Sequence, residues 1–131
     1  MAIMSEPIVF ISHLKIKGGK LEAFKESSRE IFEMMEAGKP GTLVHVGFVN
    51  EDGTKLSFIH VFPSAEAMDD HLGGVEDRAN KAFEFLDTVG YEIYGTPSGQ
   101  VMQMMEQFAR SGITLSVEPD YFGGYMRFVS N

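Results

Sequence analysis

The hydrophobic period of the chain switches repeatedly between that of a strand and that of a helix from residue 8 to residue 94. Period-two segments rich in β-branched residues predict strands at residues 8–16, 42–50, 55–62 and 89–94. Apolar stripes predict one helix at residues 20–37 and a second that follows Ser64 and extends to Leu86, with a break or kink at Gly73-Gly74. This β-α-β-β-α-β order predicts a ferredoxin-like α+β fold, an antiparallel sheet with helices on one face.

The chain continues past this unit with further regular structure. We expect a helix at residues 100–110 and short strands at 113–117 and 125–129. The whole chain of 131 residues has the length of one domain. We therefore predict a single domain, 1–131, in which residues 8–95 form the ferredoxin-like core and residues 96–131 form a C-terminal αβ extension that packs on it.

The turn between the second and third strands leaves two registers open. The Asp-Gly pair at 52–53 suits a two-residue turn, which would place His45 opposite His60. A type I turn with a glycine bulge would shift the pairing by one residue. The shifted register places Val46 and its apolar neighbours on the same face as His60, and we favour it because that face is the more apolar.

Both faces of the predicted hairpin are largely apolar. The alternating sets on the second strand are Leu43, Gly47 and Val49 on one side and Val44, Val46 and Phe48 on the other. Helices cover only one face of a ferredoxin-like sheet, and monomers rarely expose a large apolar face. A second copy of the chain is the simplest cover, so we expect a homodimer packed sheet against sheet.

The charge of the chain narrows the range of its partners. The net charge is −8 and the 11 basic residues are scattered, so we expect neither a nucleic acid nor a membrane as partner. There is no cysteine, the first residues lack a basic region, and no apolar run reaches the length of a bilayer span. These features favour a cytoplasmic protein.

The sequence also predicts a chain without a cofactor. No two of the four histidines have the close spacing that sets up a metal site, and neither Gly18-Gly19 nor Gly123-Gly124 matches a phosphate-binding loop. His45, His60 and His71 could converge in the fold, but nothing in their spacing provides ligand geometry or outer-sphere partners. We therefore expect the purified protein to contain no transition metal, haem or flavin.

Three stretches of the chain resemble one protein family. They are KGGKLEAF at 17–24, KPGTL at 39–43 and HVFPSAEAMDDHL at 60–72. They are similar to the first helix start, the Pro-Gly before the second strand and the strand-to-helix run of the antibiotic biosynthesis monooxygenase-like family, within the dimeric α+β barrel superfamily. The resemblance covers residues 8–95.

The resemblance implies a cofactor-independent monooxygenase that acts on a small phenol, quinol or polyketide-like aromatic. A histidine would help to form the phenolate, which reduces O2 directly. The alternative on the same fold is a non-catalytic dimeric module that binds a small ligand or is purely structural. The chain has Phe62 where the family usually has Trp, and Ser12 where related haem-degrading enzymes have Asn, so haem degradation is disfavoured.

His71 and His60 are the candidate catalytic residues. His71 lies on the apolar side of the predicted second helix and matches the His of the family's His-Leu pair, while His60 lies among aromatic residues of its strand. Each could instead be a buried structural histidine bonded to the backbone. His45 and His13 are weaker candidates.

The side chains expected to contact the substrate are those near these two histidines in the predicted fold. They are Phe58, Phe62, Met68, Tyr91 and Ser12. The Tyr91 hydroxyl could bond a phenolic substrate, and Ser12 enters through its position in the resemblance.

Overall fold

The sheet has five strands in the order β2-β3-β1-β4-β5 in the computed structural model, which describes residues 6–127. The elements are β1 (Ile8–Ile16), α1 (Leu21–Gly38), β2 (Val44–Val49), β3 (Lys55–Phe62), α2 (Ala65–Leu72), α3 (Val75–Ala82), β4 (Leu86–Tyr94), α4 (Gly99–Arg110) and β5 (Thr114–Glu118). All pairs are antiparallel except β4 with β5, which run parallel. The first four strands have the ferredoxin-like arrangement, which confirms the predicted fold class.

The core lies between the sheet and the helices. Alternate residues of the central strand β1, among them Ile8, Phe10 and Ile16, point to the helices and are at most 4% exposed. One buried cluster joins β1 to α2 and α4, and a second joins it to Phe24 of α1. In residues 6–127 no helix combines the length and apolar character of a bilayer span.

The register favoured from the sequence for the β2–β3 hairpin is wrong. His45 pairs with His60, and Gly47 pairs with Phe58. The connection is a five-residue loop, 50–54, in which the Asn50 carbonyl accepts from Gly53 N–H at 3.1 Å, with Gly53 at φ +74°. Because the side-chain period of a strand is two, this register places His45 on the helix side of the sheet with His60.

The predicted second helix is two helices. Ser64 caps α2, its hydroxyl accepting from Ala67 N–H at 3.1 Å. The helix ends at Leu72 because Gly73 is extended and Gly74 takes a left-handed conformation, φ +80°, after which α3 begins at Val75. Leu86, expected to end the helical stripe, instead begins β4 and is buried in the core.

The C-terminal extension packs on the core. Val101 and Met105 of α4 are 4% and 1% exposed, and they join the buried cluster around Phe10. Strand β5 then extends the sheet beside β4, a parallel neighbour that the α4 crossover makes possible. The predicted strand at 125–129 is wrong for residues 125–127, which are irregular, and residues 128 and 129 lie outside the described residues.

Candidate active site

Three histidines converge on the helix side of the sheet. His45 comes from β2, His60 from β3 and His71 from α2, and one ring nitrogen from each lies within 4.8 Å of the others. The His45 and His60 rings stack with centroids 4.5 Å apart, and the His71 ring stands edge-on to them at 5.3 and 5.0 Å. His60 and His71 are 5% and 4% exposed, whereas His45 is half-buried on the edge strand. We refer to these three residues as the histidine cluster.

The local fold explains this convergence. The hairpin register makes His45 and His60 direct cross-strand partners on one face. Helix α2 starts three residues after β3 ends, and its buried face carries both Met68 and His71, which are three positions apart. The last turn of α2 therefore places the His71 ring against His45 of β2 and His60 of β3.

Hydrogen bonds fix two of the three rings. His60 Nδ1 lies 3.0 Å from the Phe10 carbonyl oxygen, and because a carbonyl only accepts, Nδ1 carries the proton. The lone pair of His60 is therefore on Nε2. His71 Nδ1 bonds the Thr42 hydroxyl at 2.7 Å, just before β2.

Positive charges hold the end of the helix that carries His71. Arg78 Nη2 donates to the His71 carbonyl at 2.7 Å, and Nη1 donates to the Gly73 carbonyl at 2.9 Å. Lys39 Nζ donates to the Asp70 carbonyl at 2.6 Å. These bonds satisfy carbonyls that a helix C-terminus leaves free and match cations to the negative end of its dipole.

The histidine cluster is electrically neutral near physiological pH. Burial lowers the pKa of His45 to about 4 and that of His60 and of His71 to about 3. Repulsion from a charged His45 lowers the pKa of His60 further, repulsion from charged His60 and His45 lowers that of His71, and the Arg78 charge lowers all three. The cluster therefore presents neutral imidazoles that can accept a proton or hydrogen bond.

Aromatic rings enclose the cluster. Phe62 contacts both His71 and His60, with centroids at 5.1 and 6.1 Å. Phe58 lies 5.6 Å from His45, and Phe32 of α1 lies 5.0 Å from the same ring. Gly47 leaves the space that the Phe58 ring fills, since a Cβ there would stand 2.9 Å from Phe58 Cε1. The three histidines therefore pack among phenylalanine rings.

The structure brings together only some of the residues predicted for the site. His71, His60, Phe58 and Phe62 meet as described. Met68 is fully buried in the apolar core, and Ser12 is buried on β1 between Phe58 and Tyr91 in the pairing.

Tyr91 and His13 lie apart from the cluster. Tyr91 stacks on the far side of Phe10, with centroids 5.4 Å apart, and burial raises the pKa of its hydroxyl, which also bonds Thr88. His13 is on the opposite face of the sheet, where Nδ1 bonds the Ser57 hydroxyl at 3.0 Å and Nε2 lies 3.5 Å from a Glu92 oxygen.

The sequence gives no signal for the contacts of Thr42, Phe10 and Arg78 with the cluster, and His45 is a stronger site residue than its sequence context indicates. The favoured register points His45 away from His60, whereas the two-residue Asp-Gly turn predicts the observed pairing of the two residues. The contacts of Thr42 and Arg78 span 29 and 7 residues and depend on how α2 docks. The expectation that His45, His60 and His71 could converge is confirmed.

Two surface hollows in the described part of the chain lie away from the histidine cluster. One is between α2 and α4, lined by Asp69, Leu72, Gly73, Gln100, Val101 and Met104. It opens on the faces of α2 that turn away from His71. The histidine cluster instead approaches the surface at His45, on the edge strand.

Comparison with known proteins supports the fold. No family model matches the chain, and no curated protein sequence matches it. Solved structures do match, and they show that the chain has the ferredoxin-like fold of the antibiotic biosynthesis monooxygenase-like proteins.

Three of these structures illustrate the likeness. MupZ from Pseudomonas fluorescens is 21% identical with a TM-score of 0.67, over 92% of this chain and 96% of that one. SnoaB, a cofactor-independent oxygenase from Streptomyces nogalater, is 16% identical with a TM-score of 0.57, over 72% and 96%. A candidate antibiotic biosynthesis monooxygenase from Chloroflexus aurantiacus is 16% identical with a TM-score of 0.53, over 71% and 94%. At these identities the likeness concerns the fold.

The neutral cluster predicts acid lability. Unfolded histidines take up protons as the pH falls through about 6.5, whereas the folded cluster resists protonation until about pH 4. The unfolded state then binds more protons, so the free energy of unfolding decreases as the pH falls. We expect a loss of at least about 2 kcal/mol between about pH 7 and about pH 5. Urea titrations in chelator-containing buffer measure it.

A matched pair of variants assigns this loss to the cluster. His45→Asn removes one neutral imidazole and should make the free energy of unfolding depend less steeply on pH. His13→Gln, on the other face of the sheet, should leave that pH dependence unchanged. If the free energy of unfolding falls equally with pH in wild type and in His45→Asn, the cluster does not cause the acid lability.

Proposed function

We propose that the chain is a cofactor-independent monooxygenase that oxidises a small phenol, quinol or polyketide-like aromatic at the histidine cluster. The observation that carries the proposal is a set of three neutral imidazoles, two of them hydrogen-bonded, enclosed by aromatic rings. The presence of a cofactor-independent oxygenase among proteins of the same fold adds support. We further propose the cytoplasm as its location.

Proton removal is the step that the chain supplies. His71, whose ring contacts that of His60, accepts the proton of the substrate hydroxyl. This step forms an imidazolium beside the new phenolate. The low pKa of His71 makes it a weak base, but the phenolate charge itself favours the imidazolium. Arg78, whose charge reaches all three rings, further stabilises the anion.

Oxygen chemistry follows on the electron-rich anion. The phenolate gives one electron to O2, and the resulting radical pair recombines into a C–O bond, which leaves a peroxide anion on the substrate. The imidazolium returns its proton to this peroxide, the O–O bond breaks and water leaves as the carbon loses its hydrogen to become a carbonyl. One oxygen atom enters the product and the other becomes water. The aromatic walls hold the pair together and exclude bulk water.

Oxygen consumption tests the proposal. Chelator-treated protein is incubated with a panel of quinols, phenols and anthrone-like polycyclic aromatics, with and without O2. Turnover that requires O2 and persists in chelator supports the proposal. A chain that binds members of the panel without consuming O2 would instead be the ligand-binding module that the fold also allows.

We also propose a homodimer through the open face of the sheet. The side opposite the helices carries apolar side chains from three adjacent strands, namely Val9, Ile11, Val44, Val46, Phe48, Ile59 and Val61. Val46 and Phe48 are 41% and 61% exposed in the single chain. A face of this kind is typical of an interface between subunits.

Light scattering at micromolar concentration tests the dimer, for which we expect twice the chain mass of 14.6 kDa. Val46→Asp would bury an unpaired carboxylate in the interface, at a cost of several kcal/mol, and should yield monomers. Met34→Asp makes the same kind of change on α1, where Met34 is 56% exposed, and should remain dimeric. A monomeric wild type, or a dimer that is unaffected by Val46→Asp, would contradict this interface.

A further inference from the structure

We propose that the histidine cluster is also a binding site for one divalent transition-metal ion such as Zn²⁺ or Co²⁺. Three imidazoles from three separate elements, with one nitrogen each within 4.8 Å of the others, form the type of ligand set that holds zinc in catalytic sites. Such a set leaves a fourth position for water or another small ligand.

The spacing of the nitrogens is close to that of a loaded site. Tetrahedral zinc with bonds of about 2.0–2.1 Å places its nitrogen ligands about 3.3 Å apart. The cluster needs to contract by about 1.5 Å at its widest, since its nitrogens lie within 4.8 Å. His45 is the ring best placed to move, because it is half-buried on edge strand β2 and the other two rings are fixed.

The outer partners of the fixed rings match those of metal-bound histidines. A metal-ligating histidine usually donates its second ring N–H to a carbonyl, carboxylate or water, which orients the ring. His60 Nδ1 donates to the Phe10 carbonyl at 3.0 Å and so leaves Nε2 free. His71 Nδ1 has the Thr42 hydroxyl at 2.7 Å, whose oxygen can accept in the same way.

The chemistry of the donors selects the ion. Neutral imidazoles suit Zn²⁺, Co²⁺, Ni²⁺ and Cu²⁺, whereas Mg²⁺ and Ca²⁺ require oxygen ligands. The nearby carboxylates do not join the set: Asp69 accepts from the Ser98 hydroxyl at 2.6 Å, and Asp70 is exposed. Because the positive Arg78 is close to all three rings, we expect micromolar rather than nanomolar affinity.

Metal and substrate would compete for the cluster. A metal ion occupies the lone pairs that the proposed reaction uses to accept a proton, so it should inhibit turnover reversibly. This consequence rests on the proposed function, whereas metal binding itself does not.

The test uses full-length protein without a histidine tag, stripped with chelator and dialysed. Titration with Co²⁺ should produce the intense visible bands of a four-coordinate cobalt centre, and Zn²⁺ should displace them at one ion per chain. His45→Asn and His71→Gln should each abolish the bands, while His13→Gln should retain them. Circular dichroism and the thermal midpoint establish that each variant is folded.

The outcomes separate the two proposals. Absence of a four-coordinate cobalt spectrum in folded wild type, or its persistence in folded His45→Asn, would overturn the metal site. If His71→Gln fails to fold, the half-buried His45 still decides the question. Metal binding without oxygen turnover in chelator would overturn only the proposed function, and turnover without metal binding would overturn only the metal site.

Discussion

Replacement of His71 by alanine should lower kcat on an accepted quinol by about 10²–10⁴-fold, the usual contribution of a general base. The ring lies at the meeting point of the cluster, edge-on to both His45 and His60 and against Phe62. Its loss would remove the proposed proton acceptor and leave the surrounding phenylalanine rings in place. Steady-state oxygen consumption at saturating quinol measures the effect.

Two further variants serve as controls for the His71→Ala result. His71→Gln retains a polar group for Thr42 and should fold with a thermal midpoint near that of wild type, yet remain as impaired as His71→Ala. His13→Ala, on the opposite face of the sheet, should turn over normally. Full activity in folded His71→Ala would remove this residue from the mechanism. A chain that unfolds with either substitution at 71 would show that the histidine is structural.

Truncation after Ser98 should abolish folding. It removes α4 and β5, whose buried side chains Val101 and Met105 complete the cluster around Ile8, Phe10 and Ile93. Burial of each such side chain contributes about 1.5–3 kcal/mol, and several partly buried neighbours are lost with them. That total is comparable with the whole stability of a domain. We expect the truncated chain to aggregate or to lack a cooperative thermal transition.

A shorter truncation provides the control. Removal of the residues after Asp120 leaves α4, β5 and the bond from the Thr96 hydroxyl to the Pro119 carbonyl. The described residues beyond it are largely exposed, with Phe122 and Tyr125 at 104% and 77%. This variant should fold and melt near the wild type. A soluble, equally heat-stable protein after truncation at Ser98 would show that the extension is an independent appendage.

The order of elements could be predicted because it depends on local signals. The apolar alternation of β1, the apolar stripe of α1 and the Ser64 cap are each contained within a few residues. The sequence also predicts the break at Gly73-Gly74, but it does not predict that the break separates two helices, α2 and α3. The separate helix α3 begins at a left-handed Gly74, and Arg78 of α3 bonds back to the end of α2, contacts that hydrophobic periodicity does not predict.

A comparison of how apolar the two faces are does not predict the register of the β2–β3 hairpin. The more apolar set on β2, with Val46 at its centre, lies on the open side of the sheet, where we propose that a second copy covers it. The loop settles the pairing locally: Asn50 Oδ1 accepts from the backbone N–H groups of Thr54 and Lys55, each at 2.9 Å. The shifted register places His45 on the open face of the sheet, so it does not predict that His45 joins His60 and His71 in the histidine cluster.

Incorporation of oxygen from heavy-isotope-labelled O2 is the most direct test of the account. Chelator-treated wild-type protein is supplied with an accepted quinol, and the product is analysed by mass spectrometry. The account predicts one labelled oxygen atom in each product molecule, the other in water, and loss of this labelling in His71→Ala. Product without label, or equal labelling in protein-free and His71→Ala reactions, would contradict oxygenation at the histidine cluster.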